Sequence, residues 1–170
     1  ALPADFAYST VAYAGSGSLT LGVAKFPFND PATVTGISSN ANWLRSCDFA
    51  DDVWYANTYS PANMVTIDKN TGAYTVKYAY PNTRLIAYNH FNSTWYAMDV
   101  STGNLYTLNI ETGAETMIGT AGASTWITFA IDNFGTAYAV NMVSDQFGSV
   151  NLTTGAFTPI MAAGFNVQYA

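Results

Sequence analysis

The chain has 170 residues, of which 49% are hydrophobic and 15% aromatic, so it has enough apolar surface to fold as one domain. Only 9% of the residues are charged, and 11 acids against 5 bases give a formal net charge of -6, which argues against a nucleic-acid-binding protein because such proteins need a basic surface. No run of about 18 apolar residues is present, so we expect no membrane span, and the start of the chain lacks the basic segment of a signal peptide.

A short aromatic segment recurs at a nearly constant spacing. Trp54-Tyr55-Ala56 is followed by Trp95-Tyr96-Ala97 and by Ala137-Tyr138-Ala139, and we interpret Ala12-Tyr13-Ala14 as an earlier copy. The four tyrosines are 42, 41 and 42 residues apart. A fixed period of this length indicates a repeat protein, in which each repeat packs against its neighbours.

A Thr-Gly-Ala segment follows in the same register. Gly72, Gly113 and Gly155 each lie 17 residues after the tyrosine of their repeat. The same offset in the first repeat reaches Asp30, and we expect the turn to be kept there because aspartate tolerates a left-handed backbone better than most residues. The sequence thus predicts a single domain, 1–170, with repeats at approximately 6–47, 48–88, 89–130 and 131–170.

Within a repeat, apolar residues alternate with a period of two, which predicts strands and not helices. In the third repeat we expect strands at residues 85–88, 94–98, 105–109 and 115–118, separated by turn-forming residues. Four antiparallel strands in about 42 residues are typical of one blade of a β-propeller. The predicted fold is therefore an all-β propeller of four four-stranded blades. A β-sandwich is the alternative, but it does not explain the period.

The repeats resemble those of bacterial extracellular propellers. Trp54-Tyr55-Ala56-Asn57, followed by Val65-Thr66-Ile67-Asp68-Lys69-Asn70-Thr71-Gly72, is similar to the YVTN-type repeats of surface-layer proteins, and the resemblance covers nearly the whole chain. It implies a propeller in a bacterial surface or secreted protein and carries over no catalytic residue. The scarcity of lysine and arginine favours the same setting, so we expect a secreted or cell-surface protein.

The two ends of the chain are complementary. An apolar residue lies 11 positions before each tyrosine, at Leu44, Leu85 and Ile127. We expect the innermost strand of each blade to begin there, and the tail 165–170 matches that strand, with Val167 in the equivalent place. Residues 1–5 include a proline, which a central strand tolerates poorly, so the tail is expected to pair beside the first repeat. Three arrangements fit: a compact four-bladed monomer, half of an eight-bladed ring completed by a homodimer, or a fragment of a longer chain.

The axial mouth is where propellers usually bind ligands, so residues near the starts of the inner strands are candidate ligand-binding residues. They are Trp43, Arg45, Arg84, Trp126 and Asn166. Aromatic faces bind the C–H faces of sugars, and arginine supplies a planar donor fork. We therefore expect a glycan or protein ligand at the axis, with Trp43, Arg84 and Trp126 clustered at one mouth. The alternative is that the aromatic residues only fill the space between blades.

The remaining reactive side chains form no recognisable catalytic or metal-binding motif. Asp48, Asp51 and Asp52 form the densest acidic cluster, where calcium is a candidate ligand, but the equivalent loops carry asparagine and favour a simple turn. His90 is the only histidine, so a catalytic triad would have to use it, and it reads as a loop residue. We expect no cofactor and no catalytic residue, and Cys47 to be a small buried hydrophobe.

A non-catalytic binding or adhesion module is the function that these features favour. The alternatives are part of a propeller hydrolase or lyase acting on polysaccharide, and a structural repeat spacer of a larger surface protein. An enzyme should bring several acids or a base to the axis, but the chain has one histidine and only two glutamates, Glu111 and Glu115. A binding module needs only aromatic and amide side chains, which are abundant.

Overall fold

A computed structural model of the protein describes residues 6–11, 22–39, 43–123 and 125–164. These residues form fifteen strands: β1 (Phe6–Val11), β2 (Gly22–Pro27), β3 (Thr35–Ser38), β4 (Leu44–Ala50), β5 (Val53–Thr58), β6 (Asn63–Ile67), β7 (Tyr74–Ala79), β8 (Arg84–Asn89), β9 (Thr94–Asp99), β10 (Asn104–Leu108), β11 (Glu115–Thr120), β12 (Trp126–Ile131), β13 (Ala137–Asn141), β14 (Gln146–Val150) and β15 (Phe157–Ala162). Nothing in this part of the chain forms a helix able to cross a membrane.

The strands form four antiparallel sheets, each built from consecutive strands, which we number as blades 1 to 4 in chain order. Blades 2, 3 and 4 have the strand orders β4-β5-β6-β7, β8-β9-β10-β11 and β12-β13-β14-β15, and blade 1 contains β1-β2-β3 within the described residues. Strand β8 contacts both β4 and β12, so the first strands of successive blades lie side by side at the centre. The predicted four-bladed β-propeller is confirmed.

The first repeat is in a different register from the one that the fixed period predicts. In blade 2, Tyr55 lies opposite Thr66, and in blade 1 the corresponding pair is Tyr8 and Lys25. Tyr13, which we expected to mark this repeat, lies outside the described residues. Ten residues separate β1 from β2, against four between β5 and β6, and this longer connection explains the displaced spacing.

The three Thr-Gly turns share one geometry. Gly72, Gly113 and Gly155 have φ angles of +70°, +75° and +76°, and each N–H donates to the carbonyl oxygen four residues earlier. Asp30 does not adopt the left-handed conformation that we expected. Its turn is instead closed by a hydrogen bond from the Thr33 N–H to the Asp30 carbonyl (3.1 Å), in a longer hairpin that needs no left-handed residue at this position.

Hydrophobic clusters fill the spaces between blades 1 and 2, 2 and 3, and 3 and 4. Each contains a tryptophan that is almost fully buried: Trp54, Trp95 and Trp126 are 1%, 5% and 2% exposed. Burying one large apolar side chain contributes roughly 1.5–3 kcal/mol, so these clusters are the main source of stability. The described residues provide no fourth cluster of this kind between blades 4 and 1.

The inner strands of blades 2 and 3 are joined by side chains. The Ser46 hydroxyl accepts a hydrogen bond from the Ile86 N–H (2.6 Å) and donates to the Ile86 carbonyl (3.2 Å). Two residues further on, the Asp48 carboxylate accepts from the Tyr88 N–H (2.8 Å). Because β4 and β8 belong to different sheets, these side chains provide the partners that a strand edge otherwise lacks.

The outer strand of every blade is bulged at the same place. The position of the bulge is given by the neighbouring strand, where the pairing with the outer strand shifts register between Val23 and Ala24, Met64 and Val65, Leu105 and Tyr106, and Phe147 and Gly148. A bulge interrupts the row of backbone donors and acceptors, and so it discourages an edge strand from pairing with another molecule.

The outer strand of blade 4, β15, exposes apolar side chains at positions that are covered in blade 3. Ile160 and Met161 are 56% and 59% exposed. In blade 3, the equivalent Ile118 packs on a core cluster and the equivalent Gly119 lies against the Thr-Gly turn of the next blade. The tail 165–170, which we expected to close the ring, lies outside the described residues, so this closure remains a prediction.

Candidate functional site

A cavity of about 400 Å³ lies where the inner strands of the blades converge. All four blades contribute to its described lining: Ser9 and Thr10 come from β1, Leu85 from β8, Thr128 from β12, and the segment 43–47 from the start of β4. Small-molecule sites in proteins have volumes of about 300–1,000 Å³, so the cavity is large enough for a ligand.

A β-bulge brings Arg45 into the cavity lining. Leu44 pairs with Thr58 and Ser46 pairs with Asn57, so Arg45 is the extra residue of β4. Bulges of this kind reorient a side chain relative to the strand ladder. Strand β12 has the same bulge, with Ile127 as its extra residue, and both extra residues border the cavity.

Two aromatic side chains lie together at the cavity. The rings of Trp43 and Tyr59 have centroids 5.5 Å apart, and the Tyr59 N–H donates to the Trp43 carbonyl (2.7 Å). Trp43 is 36% exposed and Tyr59 is 42% exposed, in contrast to the other three tryptophans of the chain. The pair therefore presents aromatic surface that a ligand can contact.

Arg45 lies over the Tyr59 ring of this pair. Its guanidinium carbon lies 5.7 Å from the centre of the Tyr59 ring. The Arg45 Nε is buried, and none of the described residues accepts a hydrogen bond from it. No carboxylate within the described chain forms an ion pair with Arg45.

Arg84 lies elsewhere, in a cluster of ionic side chains. Its guanidinium pairs with Asp99 and with Glu115, with an Nε–Oε1 distance of 2.9 Å to the latter. The Tyr80 hydroxyl also donates to Glu115 (2.6 Å), and the guanidinium carbon is 4.8 Å from the centre of the Tyr106 ring. The Arg84 side chain is only 13% exposed, and its hydrogen-bonding capacity is used within the protein.

Trp126 is a core residue in the structure. Its indole Nε1 donates to the Gly122 carbonyl (3.1 Å), and its ring packs edge-on against Phe157 at 4.8 Å between centroids. The expected cluster of Trp43, Arg84 and Trp126 is therefore not formed, and of these three only Trp43 borders the cavity. Asn166, the other candidate, lies outside the described residues.

The register of the strands explains this difference. The pairing to the second strand makes Leu44, Arg84 and Trp126 equivalent. The sequence comparison, which counted back a constant 11 residues, instead aligned Leu44 with Leu85 and Ile127. Hairpin loops of different length, together with the two bulges, shift the true register by one residue.

The three aspartates considered as calcium ligands, Asp48, Asp51 and Asp52, form a turn and local hydrogen bonds. Asp51 and Asp52 have φ angles of 48° and 65° and make the two-residue turn between β4 and β5, with Asp52 paired to Lys69 (2.7 Å). Asp48 accepts hydrogen bonds from two backbone N–H groups, those of Phe49 and Tyr88, and its burial raises the pKa of its carboxyl group. No group of three His, Cys, Asp or Glu side chains that could hold a metal ion occurs among the described residues.

A second cavity, of about 480 Å³, lies between blades 1 and 2. Phe6, Trp54 and Asp48 are among its lining residues. Cys47 borders both cavities, and burial raises the pKa of its thiol to about 11, so the thiol stays protonated and unreactive near neutral pH. His90 lies beyond β8 in a loop, with its ring edge-on to Tyr88 at 4.8 Å.

Tyr59 is an exposed aromatic cavity residue that the sequence did not lead us to expect. It lies four residues after Tyr55, and the same offset in the next two repeats gives Val100 and Met142. An aromatic residue in a place that is aliphatic elsewhere was an available signal. It was missed because ligand-binding candidates were expected only near the starts of the inner strands, which precede the repeated tyrosine.

No known protein family matches the chain, and no curated protein matches it. Solved structures do match in fold, and a chain of a nidogen/laminin complex superposes with a TM-score of 0.64 at 13% identity, over 86% of this chain and 60% of that one. An auxiliary nutrient binding protein from Bacteroides thetaiotaomicron gives 0.52 at 16% identity, over 70% and 30%.

Virginiamycin B lyase from Staphylococcus aureus gives a TM-score of 0.51 at 10% identity, over 81% of this chain and 47% of the lyase. The chain thus spans between about a third and three fifths of the length of these structures. At such low identities the likeness concerns the fold alone, and these neighbours are β-propeller proteins, as this chain is.

Proposed function

We propose that the protein is a non-catalytic binding module, secreted or on the cell surface, that recognises a glycan at the axial cavity. The observation that carries this proposal is the exposed pair of Trp43 and Tyr59 beside the cavity. Three of the four tryptophans are buried in the core, and the fourth is kept at the surface next to a second aromatic ring, where it costs the fold burial energy.

The chemistry of the lining suits a sugar. Aromatic faces pack against the C–H faces of sugar rings, and the lining includes Ser9, Thr10 and Thr128, whose hydroxyl groups are of the kind that exchanges hydrogen bonds with sugar hydroxyls. A cavity that combines aromatic surface with a few polar groups is the usual form of a small-ligand site.

A hydrolase or lyase is the enzymatic alternative, and one of the structural neighbours is a lyase. The described lining of the axial cavity contains no carboxylate and no imidazole, so it offers no acid–base pair for such a reaction. This argument favours a binding role. A protein ligand is the second alternative, and a propeller in complex with a protein partner occurs in one neighbour.

Three observations support an extracellular setting. The chain has few charged residues, 9% in all, and its repeats resemble those of bacterial surface-layer propellers. A nutrient binding protein and the extracellular domain of a hybrid two component system, both from Bacteroides thetaiotaomicron, share the fold. We propose that this chain belongs to the same kind of environment.

Isothermal titration against a panel of trisaccharides tests the proposal. Trp43→Ala and Tyr59→Ala should each weaken binding by about tenfold, corresponding to about 1.4 kcal/mol of lost stacking. Phe91→Ala is the matched control, because Phe91 is a surface aromatic residue that is 75% exposed and does not line the cavity. The proposal is contradicted if no trisaccharide binds, or if Phe91→Ala weakens binding as much as Trp43→Ala.

A further inference from the structure

We infer that the glycan bound at the axial cavity is acidic, and that Arg45 binds its carboxylate. This inference rests on the proposed function and deepens it by naming the class of sugar. It concerns uronic acids, in which the C6 position of the sugar carries a carboxylate in place of a hydroxymethyl group.

The distribution of ionic pairs singles out Arg45. The chain has five basic and eleven acidic residues, so there are more than enough carboxylates for every basic residue to form an ion pair. Three of the basic residues are paired: Lys69 with Asp52, Lys77 with Glu111, and Arg84 with Asp99 and Glu115. Lys25, on β2, lies over the ring of Phe6 and outside the axial cavity. Arg45 alone combines a place in a cavity with the lack of an ionic partner within the described chain.

The described lining of the cavity carries a positive charge, although the protein as a whole has a negative net charge. Arg45 is the only charged residue in the described lining, whereas the protein as a whole has a net charge of -6. A partly desolvated charge with no counterion is costly, and its cost is recovered when an anion binds. The cavity is therefore suited to attract the one kind of ligand that the rest of the surface repels.

The geometry of Arg45 favours a planar anion. The guanidinium lies over the Tyr59 ring, which restricts its orientation, and its Nε donor has no acceptor among the described residues. Guanidinium groups bind carboxylates through two parallel hydrogen bonds, and such bonds are about twice as strong as neutral ones.

The neighbouring residues favour an acidic sugar over other carboxylates. Trp43 and Tyr59 offer the aromatic surface on which a sugar ring packs, and the hydroxyl-bearing residues Ser9, Thr10 and Thr128 are among the lining residues of the same cavity. A carboxylate, a ring face and several hydroxyls are all present on one uronic acid residue. A peptide with a free C-terminal carboxylate has no comparable use for the hydroxyls.

Two pairs of trisaccharides that differ only at C6 test the inference. They are β-1,4-linked glucuronic acid against glucose, and α-1,4-linked galacturonic acid against galactose. We expect the protein to bind at least one acidic member about 10- to 100-fold more tightly than its neutral counterpart, the range for a hydrogen bond to a charged group. Arg45→Met should abolish that difference, while Arg45→Lys should retain part of it. Melting curves of both variants verify that they are folded.

The possible results separate this inference from the proposed function. If neutral and acidic trisaccharides bind equally, and Trp43→Ala weakens both, the acidic sugar is wrong and the glycan-binding function stands. If no trisaccharide binds but a tripeptide does, in a manner that depends on Arg45 and on its free carboxylate, both the acidic sugar and the glycan function are wrong. Preferential binding of the acidic sugar that Arg45→Met leaves unchanged would overturn the role given to Arg45.

Discussion

At the boundary between blades 2 and 3, side chains on β4 form the hydrogen bonds with the β8 backbone that a neighbouring strand would otherwise form. Ser46 and Asp48 face the edge of β8 and bond to Ile86 and Tyr88, two residues apart on each strand. The spacing matches the period of a strand, so both side chains point to the same side. The alternation of the sequence predicts that these residues share a face, but only the three-dimensional arrangement shows which edge they cover.

Substitution of Asp48 tests this role. Asp48→Ala leaves the Tyr88 N–H without its acceptor, and we expect it to lower the free energy of unfolding by about 1–3 kcal/mol. Asp48→Asn keeps one acceptor oxygen and removes a buried charge, so it should cost clearly less. Urea unfolding of the two variants at pH 7 provides the measurement. Equal losses for both variants would show that the charge, and not the acceptor, is what matters.

The pH dependence of the same pair has a defined sign. Burial raises the pKa of Asp48 above its ordinary value of 3.8, so folding favours the protonated carboxyl group. The corresponding stability is fully present below pH 3.8 and is lost as the pH rises through the raised pKa. Relative to Asp48→Asn, the parent protein should therefore gain stability as the pH is lowered from 7 toward 4. A constant difference over this range would contradict the assignment.

At the level of elements, the Thr-Gly turns join the blades as well as the strands. A Cβ added to Gly72 would lie 2.4 Å from the Ser38 Oγ, and one added to Gly113 would lie 2.7 Å from the Tyr78 ring. At Gly155 the obstacle is backbone, with the carbonyl carbon of Gly119 at 2.6 Å. The sequence predicts the turn and its positive φ, but not the close contact with the preceding blade.

Two glycine substitutions separate the cost of the backbone conformation from that of the contact. Gly155→Ala and Gly122→Ala both place a Cβ at positive φ, +76° and +65°, but Gly122 has nothing within 4 Å of the new atom. We expect Gly122→Ala to cost about 1–2 kcal/mol, and Gly155→Ala to cost roughly 2 kcal/mol more because two blades must move apart. Thermal unfolding gives both values, and similar losses would mean that the contact is unimportant.

The candidate site illustrates the limit of spacing arguments. Trp43 was a candidate because it directly precedes the apolar inner-strand residue Leu44, and Arg45 because it lies beside Leu44; both border the axial cavity. Arg84 and Trp126 were selected by the same count, but the pairing of β8 and β12 places them in other surroundings. Bulges and loop lengths, which set the register, depend on packing and leave no clear mark in a single sequence.

At the scale of the whole molecule, the boundary between blades 4 and 1 differs from the other three. The outer strand of blade 4 leaves Ile160 and Met161 exposed, and β1 pairs only with β2 in the described structure. The second strands of the other blades have a strand on each side. The tail 165–170 remains our proposed partner for β1, either in its own chain or in a second copy.

Deletion of residues 165–170 tests this proposal. If the tail supplies the inner strand, its loss removes several backbone hydrogen bonds, roughly 3 kcal/mol, and should lower the melting temperature by about 6–12 °C. Light scattering of the parent protein then distinguishes a monomer, in which the tail completes its own ring, from a dimer. A deletion variant that melts like the parent would show that the tail closes nothing.

The central claim is that a glycan binds beside Trp43, and the indole N–H signals of the four tryptophans test it most directly. In an ¹H–¹⁵N spectrum titrated with the glucuronic acid trisaccharide, we predict that the Trp43 signal, assigned with Trp43→Phe, shifts progressively. Those of the buried Trp95 and Trp126 should stay in place. A shift confined to Trp54, which lines the second cavity, or no shift of Trp43 on binding, would contradict the axial site.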